Sequence, residues 1–211
     1  MKNIMIEYEN LALLNELFHK EFSSGFTTVL KSGWYVLGEN VKKFEKEFAL
    51  YNNASDCIGV ASGLDAITLS IAAFNFEPGS EIIVPSNTYV ATILSVLHNN
   101  MKPVLVEPSI ETYNINPAKI EASITKKTKA IVIVHLYGKS CNMEPIVALC
   151  KKHNLKLIED CAQSHGATYK KKYTGTFGEF GAFSFYPTKN LGALGDAGAI
   201  ICNDNELAQI I

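Results

Sequence analysis

Lys189 follows the aromatic run FSFYPT and precedes a loop that carries Gly192, Gly195 and Gly198. A lysine in a partly desolvated place can form a Schiff base with a carbonyl. Upstream, Asp160 ends the apolar run LKLIED, and Gln163 follows three residues later. A carboxylate there either caps the next segment or faces a ligand. Ser62-Gly63-Leu64-Asp65 sits where a β-rich run gives way to an apolar helical pattern. The free amides of a helix N-terminus suit a phosphate, although many helices begin with Ser or Asp for capping alone. Tyr89, in SNTYVAT, either stacks on a planar ring or packs in the core. Ser184, five residues before Lys189, brings a hydroxyl.

These parts have one chemistry in common. Pyridoxal 5'-phosphate needs a lysine for its aldehyde, a carboxylate at its ring nitrogen and donors for its phosphate. Lys189, Asp160, Ser184 and the Gly63 turn could supply them. The glycines after Lys189 would then let the backbone turn tightly beside the cofactor.

The elements that must position these residues follow from periodicity. Strand-like runs fall at 57–62, 81–86, 103–108, 130–136, 155–160, 182–186 and 199–202. Helix-like runs at 65–74, 88–99, 117–124 and 143–154 separate them, and two amphipathic helices, 11–25 and 39–53, precede them. Apolar strands alternating with helices indicate an α/β fold, with a mostly parallel central sheet and helices on both faces. In such sheets ligands sit at the carboxyl ends of the strands, where the residues above fall.

Composition narrows the partners. The 211 residues carry a formal net charge of −2, and all 19 positive side chains are lysines. No basic stripe argues for nucleic acid. No apolar run is long enough to span a bilayer, and MKNIMIEYENLALL has no cleavage site. The five cysteines form no C-x-x-C pair and read as reduced thiols of a cytosolic core. The five histidines show no metal-ligand spacing. Tyr186 and Lys189 fall one residue short of the Tyr-x-x-x-Lys pair of short-chain dehydrogenases, and Pro187 breaks the helix that pair needs. No G-x-x-x-x-G-K-[ST] occurs.

The runs EDCAQSHGA and GAFSFYPTKNLGALGDAGAI, with GWYVLGENVKKFEKEFA, VASGLDAITLSI and VPSNTYVAT in order, resemble the DegT/DnrJ/StrS sugar-nucleotide aminotransferases, fold-type I pyridoxal-phosphate enzymes. The resemblance implies that Lys189 carries the cofactor and later moves a proton. Asp160 would pair with the ring nitrogen and Gln163 approach the ring hydroxyl. Ser184 and the backbone at Gly63 and Leu64, with Asp65, would hold the phosphate, and Tyr89 would stack on the ring. His165 and Tyr186 would face the substrate, and no metal is implied. The expected reaction takes an amino group from glutamate to a keto group of a nucleotide-linked deoxysugar. The subtype motifs look most like enzymes that aminate the 3-position of dTDP-3-keto-6-deoxyhexoses. A 4-keto aminotransferase and a truncated, non-catalytic member are the alternatives. A cytoplasmic homodimer is expected. Residues 1–54 read as an N-terminal helical segment and 55–211 as the cofactor-binding large domain. The chain stops at NDNELAQII, so the family's C-terminal small domain is expected to be absent from it.

Overall fold

A computed structural model describes residues 7–211, so the first six residues of the expected N-terminal helical segment lie outside the described residues. Two compact units are present, one running to Phe44 and one comprising Glu45–Ile211. In the first, α1 (Leu11–Asn15) gives way to a 3-10 turn and then α2 (His19–Ser32), so the helix expected at 11–25 is interrupted and extends further. Gly33 ends α2 in the left-handed conformation, with φ 65°, and donates its N–H to Leu30 O. That is the role glycine plays after a helix. Helix α3 (Glu39–Asn52) follows, and its second half buries Phe48, Ala49 and Asn52.

In the second unit the elements after α3 are β1 (Asp56–Val60), α4 (Gly63–Ala72), β2 (Glu81–Pro85), α5 (Val90–His98), β3 (Lys102–Val106), α6 (Pro117–Ile120), β4 (Thr128–Val134), α7 (Met143–His153) and β5 (Lys156–Asp160). The chain continues through a small hairpin, β6 (Thr168–Tyr169) and β7 (Lys172–Tyr173), to β8 (Phe180–Ser184), β9 (Gly198–Cys202) and α8 (Asn205–Ile210). The seven-stranded sheet has the order β1-β9-β8-β5-β4-β2-β3. Strands β3, β2, β4, β5 and β8 are parallel, and β9 runs antiparallel between β8 and β1. The expected mostly parallel sheet is therefore present with one reversed strand. Its apolar run, GAIIC, is buried throughout and reads alike in either direction.

Alternate side chains along each strand serve two cores. Ile82, Val84, Ala130, Val132, Ile158 and Phe180 pack with α4 and α5 residues Ala66, Ile67, Ile71 and Val96. Ile83, Ile131, Ile133 and Leu157 pack on the other face with Ile120, Met143 and Ile146 of α6 and α7. Each Val, Leu, Ile, Phe or Met among them contributes about 1.5–3 kcal/mol on burial. By the same alternation Asp160 shares the α4–α5 face of β5 with Ile158, and Glu159 shares the α6–α7 face with Leu157.

Helix starts differ from the sequence expectation where caps decide them. Helix α4 begins at Gly63 because Ser62 is extended and its Oγ accepts the Asp65 amide. Helix α5 begins only after Tyr89, whose ψ of 142° is extended. The helix expected at 117–124 is one α-turn followed by a 3-10 turn.

Candidate functional site

Because β9 is reversed, β1 and β8 run the same way and their carboxyl ends lie together. Val60 and Ser184 both oppose Gly198, the first residue of β9. The contact is tight: a Cβ on Gly198 would lie 2.4 Å from Ser62 O. One on Gly63 would lie 2.7 Å from the Ser184 Cβ. The amino end of α4 is thus pressed against the Ser184 side chain. Within α4 the first intrahelical bond is donated by Ala66 to Ser62 O, and Ser62 Oγ takes the Asp65 amide. That leaves the Gly63 and Leu64 amides as the helix's anion donors. Asp65 differs from expectation. Ser62 Oγ donates back to its carboxylate at 3.0 Å, so Asp65 closes the cap and has no donor to offer a phosphate.

On the strand next to β8, Asp160 ends β5 and is 6% exposed. Its Oδ2 accepts from Thr92 Oγ1 at 2.8 Å and its Oδ1 from the Ala162 amide at 3.1 Å. Burial pushes the Asp160 carboxyl above its ordinary value, against those two donors and the charge of Lys189. A buried carboxylate with this few partners suits a cationic nitrogen.

Lys189 is half-buried on a loop closed at its base. Ala193 N donates to Phe185 O at 2.7 Å, and Phe185 N to Ala197 O at 2.8 Å. The Lys189 amide is held by Tyr186 O. The glycines act here through proximity rather than through unusual dihedrals. Gly192 lies so near Pro187 that a Cβ would come within 2.5 Å of its carbonyl oxygen, whereas Gly195 faces open space.

His165 and Asn190 interlock this loop with the one after β5. His165 Nδ1–H donates to Asn190 Oδ1 at 2.8 Å, and Asn190 Nδ2 donates to His165 O at 3.3 Å. The His165 ring packs against Phe183 and Phe185. His165, expected to face substrate, holds the residue after Lys189. Burial lowers its pKa below the ordinary 6.5. A lowered histidine contributes stability that is complete above its unfolded value and is lost as pH falls. The His165→Asn variant is expected to lose less stability than the parent protein when pH drops from 7 to 5, as read by urea unfolding at each pH. Equal slopes in the two proteins would exclude this contribution.

Gln163 Oε1 accepts the Tyr137 amide at 2.6 Å, which leaves its Nε2 as the donor. Tyr137 is left-handed, with φ 54°. Tyr89 is 76% exposed beside these strand ends, and Tyr186 is exposed next to Lys189.

A second polar group, Glu159, lies on the opposite face of β5 and is fully buried. Its Oε1 accepts from the Phe177 and Gly178 amides, at 2.6 and 2.8 Å. Its Oε2 accepts from the Gly175 amide and from His135 Nε2, at 2.8 and 2.9 Å. His135 Nδ1 accepts the Cys141 amide, so the ring proton sits on Nε2. Together with Cys161 these side chains bring ligand-type atoms within 4.8 Å of one another. Their lone pairs are nevertheless spent on protein donors, and the group is a hydrogen-bonded buttress beneath the site. The cysteines are free thiols, and burial pushes Cys57 and Cys150 up to about 12, far from a reactive thiolate.

The geometry and the comparisons with known proteins agree. Residues 17–211 match the DegT/DnrJ/EryC1/StrS aminotransferase family. The chain belongs to that family. It is 57% identical over 205 residues to the dTDP-3-amino-3,6-dideoxy-alpha-D-galactopyranose transaminase of Aneurinibacillus thermoaerophilus, covering 97% of this chain and 56% of that protein. Among solved structures it resembles S. venezuelae DesV in complex with a ketimine intermediate, with TM-score 0.94 and 40% identity over 97% of this chain and 55% of that one. It also resembles NtdA from Bacillus subtilis with bound cofactor PMP, with TM-score 0.87 and 36% identity over 100% of this chain and 48% of that one. The chain thus spans about half the length of the relatives it matches. Within this family member, sequence reasoning had passed over Thr92, Glu159 and Asn190. An acid inside an apolar strand, as in LIED, always needs partners and was the available signal for Glu159. Thr92 looked like one more residue of an apolar helix, and nothing local marks Asn190.

Proposed function

We propose that this family member is a pyridoxal-phosphate-dependent aminotransferase. It would carry an amino group from glutamate to the keto group of a nucleotide-linked deoxysugar, a dTDP-3-keto-6-deoxyhexose, giving the 3-amino sugar. The observation that carries this reading is the meeting of buried Asp160, half-buried Lys189 and the Gly63–Ser184 contact at one end of the sheet. The named activity of the Aneurinibacillus relative supports the 3-position, and the PMP held by NtdA supports the cofactor.

The residues fit the cofactor. The Gly63 and Leu64 amides and the Ser184 hydroxyl would donate to its phosphate; glycine at position 63 is what lets the start of α4 approach Ser184 so closely. Asp160 would accept a hydrogen bond from the protonated ring nitrogen. Gln163 would donate through Nε2 to the ring hydroxyl, and Tyr89 would cover a ring face. Lys189 Nζ would bind the carbonyl carbon and, once displaced by the amino donor, move a proton at the amino-bearing carbon. Bound pyridoxal phosphate supplies an aldehyde for amines and a ring that accepts the electron pair left when that proton departs. Tyr186, exposed beside Lys189, would meet the sugar. A cytoplasmic homodimer is the assembly that fits: Tyr89, Tyr113, Tyr137, Tyr186, Leu191 and Leu194 are large and exposed. No helix of the described residues is long and apolar enough to cross a membrane.

The test is a half-reaction. Glutamate added to cofactor-loaded protein should convert its visible absorbance to that of pyridoxamine phosphate. A 3-keto nucleotide sugar should then restore it. Failure of glutamate to produce any change refutes the aminotransferase reading, and restoration by a 4-keto sugar alone transfers the assignment to the 4-position.

A further inference from the structure

We propose that Thr88 and Thr92 form a hydroxyl relay that orients the Asp160 carboxylate and holds it ionised, making both threonines positioning residues for the site. The inference rests on the reading of Asp160 as the partner of the cofactor's ring nitrogen. Its ground is the direction of the hydrogen bonds. Thr92 is fully buried in the first turn of α5, and its Oγ1 lies 2.8 Å from Asp160 Oδ2 and 2.8 Å from Thr88 Oγ1. An ionised carboxylate only accepts, so the single Thr92 proton goes to Asp160. The oxygen of Thr92 is then an acceptor, and Thr88 must donate to it. The chain of donors runs one way, from half-buried Thr88 inward to Asp160.

Other helical hydroxyls in this protein behave differently. Thr68 donates to Leu64 O and Ser70 to Ala66 O, each back along its own helix. That back-bond is the ordinary choice for a helical Ser or Thr. Thr92 instead spends its proton on β5. With the Ala162 amide on Oδ1 and Thr92 on Oδ2, each Asp160 oxygen has one fixed donor and one remaining direction for a ligand. The charged or titratable groups acting on Asp160 are Lys189, from the loop after β8, and His135, at the end of β4. Burial works against the ionised form, and the donors work for it.

With the cofactor bound, a ring nitrogen that Asp160 would keep protonated would make the Lys189 nitrogen more acidic. Weakening Asp160 therefore raises the pH midpoint of the bound cofactor's visible absorbance change. Thr92→Val keeps the side-chain shape and removes the hydroxyl. It is expected to raise that midpoint by about 1 pH unit and to weaken cofactor binding, read by fluorescence quenching, about 10-fold. Thr92→Ser should restore both values. Thr88→Val, on a less buried side chain, should shift the midpoint in the same direction by less. Asp160→Asn separates the two readings. If it moves the midpoint and Thr92→Val does not, the relay is overturned and the role of Asp160 stands. If neither moves it, the role of Asp160 falls and the relay with it. If Thr92→Val fails to fold, an unshifted midpoint in Thr88→Val overturns the relay.

Discussion

Lys189→Ala is expected to lower the proposed amination by on the order of 10⁴-fold, because on that reading it removes both the nucleophile and the proton carrier. The loss should be chemical rather than structural. The loop that bears Lys189 is closed by main-chain bonds, Ala193 N to Phe185 O and Lys189 N to Tyr186 O, which a change of side chain leaves in place. Its neighbour Asn190 stays tied to His165. The variant should therefore melt within a few degrees of the parent protein. Borohydride treatment of the cofactor-loaded protein gives an independent readout. It should fix the cofactor on the peptide that contains Lys189 in the parent and leave the alanine variant unlabelled. Lys189→Arg keeps a charge without a free amine and should not rescue. A label on another lysine, or an alanine variant with a tenth of the parent's activity, would overturn the assignment.

The second large effect is on stability. Glu159→Ala removes the acceptor for three backbone amides and for His135 Nε2; the Gly175 amide and His135 are buried, and the Phe177 and Gly178 amides are part-buried. Leaving such donors unpaired should cost about 3–5 kcal/mol, a large part of an ordinary domain's stability. Glu159→Gln is the sharper experiment. One of its two terminal atoms becomes an N–H donor, and either orientation turns it against donors: Phe177 and Gly178 on one side, Gly175 and His135 on the other. Roughly half the alanine penalty is expected. Urea unfolding measures both variants. A glutamine variant within about 0.5 kcal/mol of the parent, the scatter of ordinary surface changes, would show that the buttress is not anchored as described.

Much of this was legible before any coordinates. Strands buried on both faces announce themselves as apolar runs, and the sheet's carboxyl ends gather Ser62, Tyr89, Asp160 and Ser184 whichever way the connections wind. The reversal of β9 was not legible, because AIIC carries no directional mark. Nor was the partner of Asp160. Thr92 lies 68 positions away in sequence, and its meeting with β5 depends on how α5 packs. The capping role of Asp65 was hidden for a related reason. Its type suits a site or a cap equally, and only the reciprocal bonds with Ser62 separate the two. Sequence spacing reports neighbours along a chain, whereas the chemistry of a buried acid is set by the side chains packed across from it.

The Glu159 buttress also bears on how the sheet finds its alignment. A strand with one wet face tells up from down by polarity, but β5 is covered on both sides, and Leu157 and Ile158 would be equally content on either. Apolar content alone therefore leaves a one-residue slip almost unpunished. The two consecutive acids break that degeneracy. Slipped one way, the shorter Asp160 would have to span the cage of Gly175, Phe177 and Gly178 amides while Glu159 took the apolar place of Ile158; slipped the other way, the longer Glu159 would be pushed against Thr92 while Ile158 entered the cage. The cage thus serves as the register key of the central strand, and it ensures that the carboxylate reaching the site is the short one.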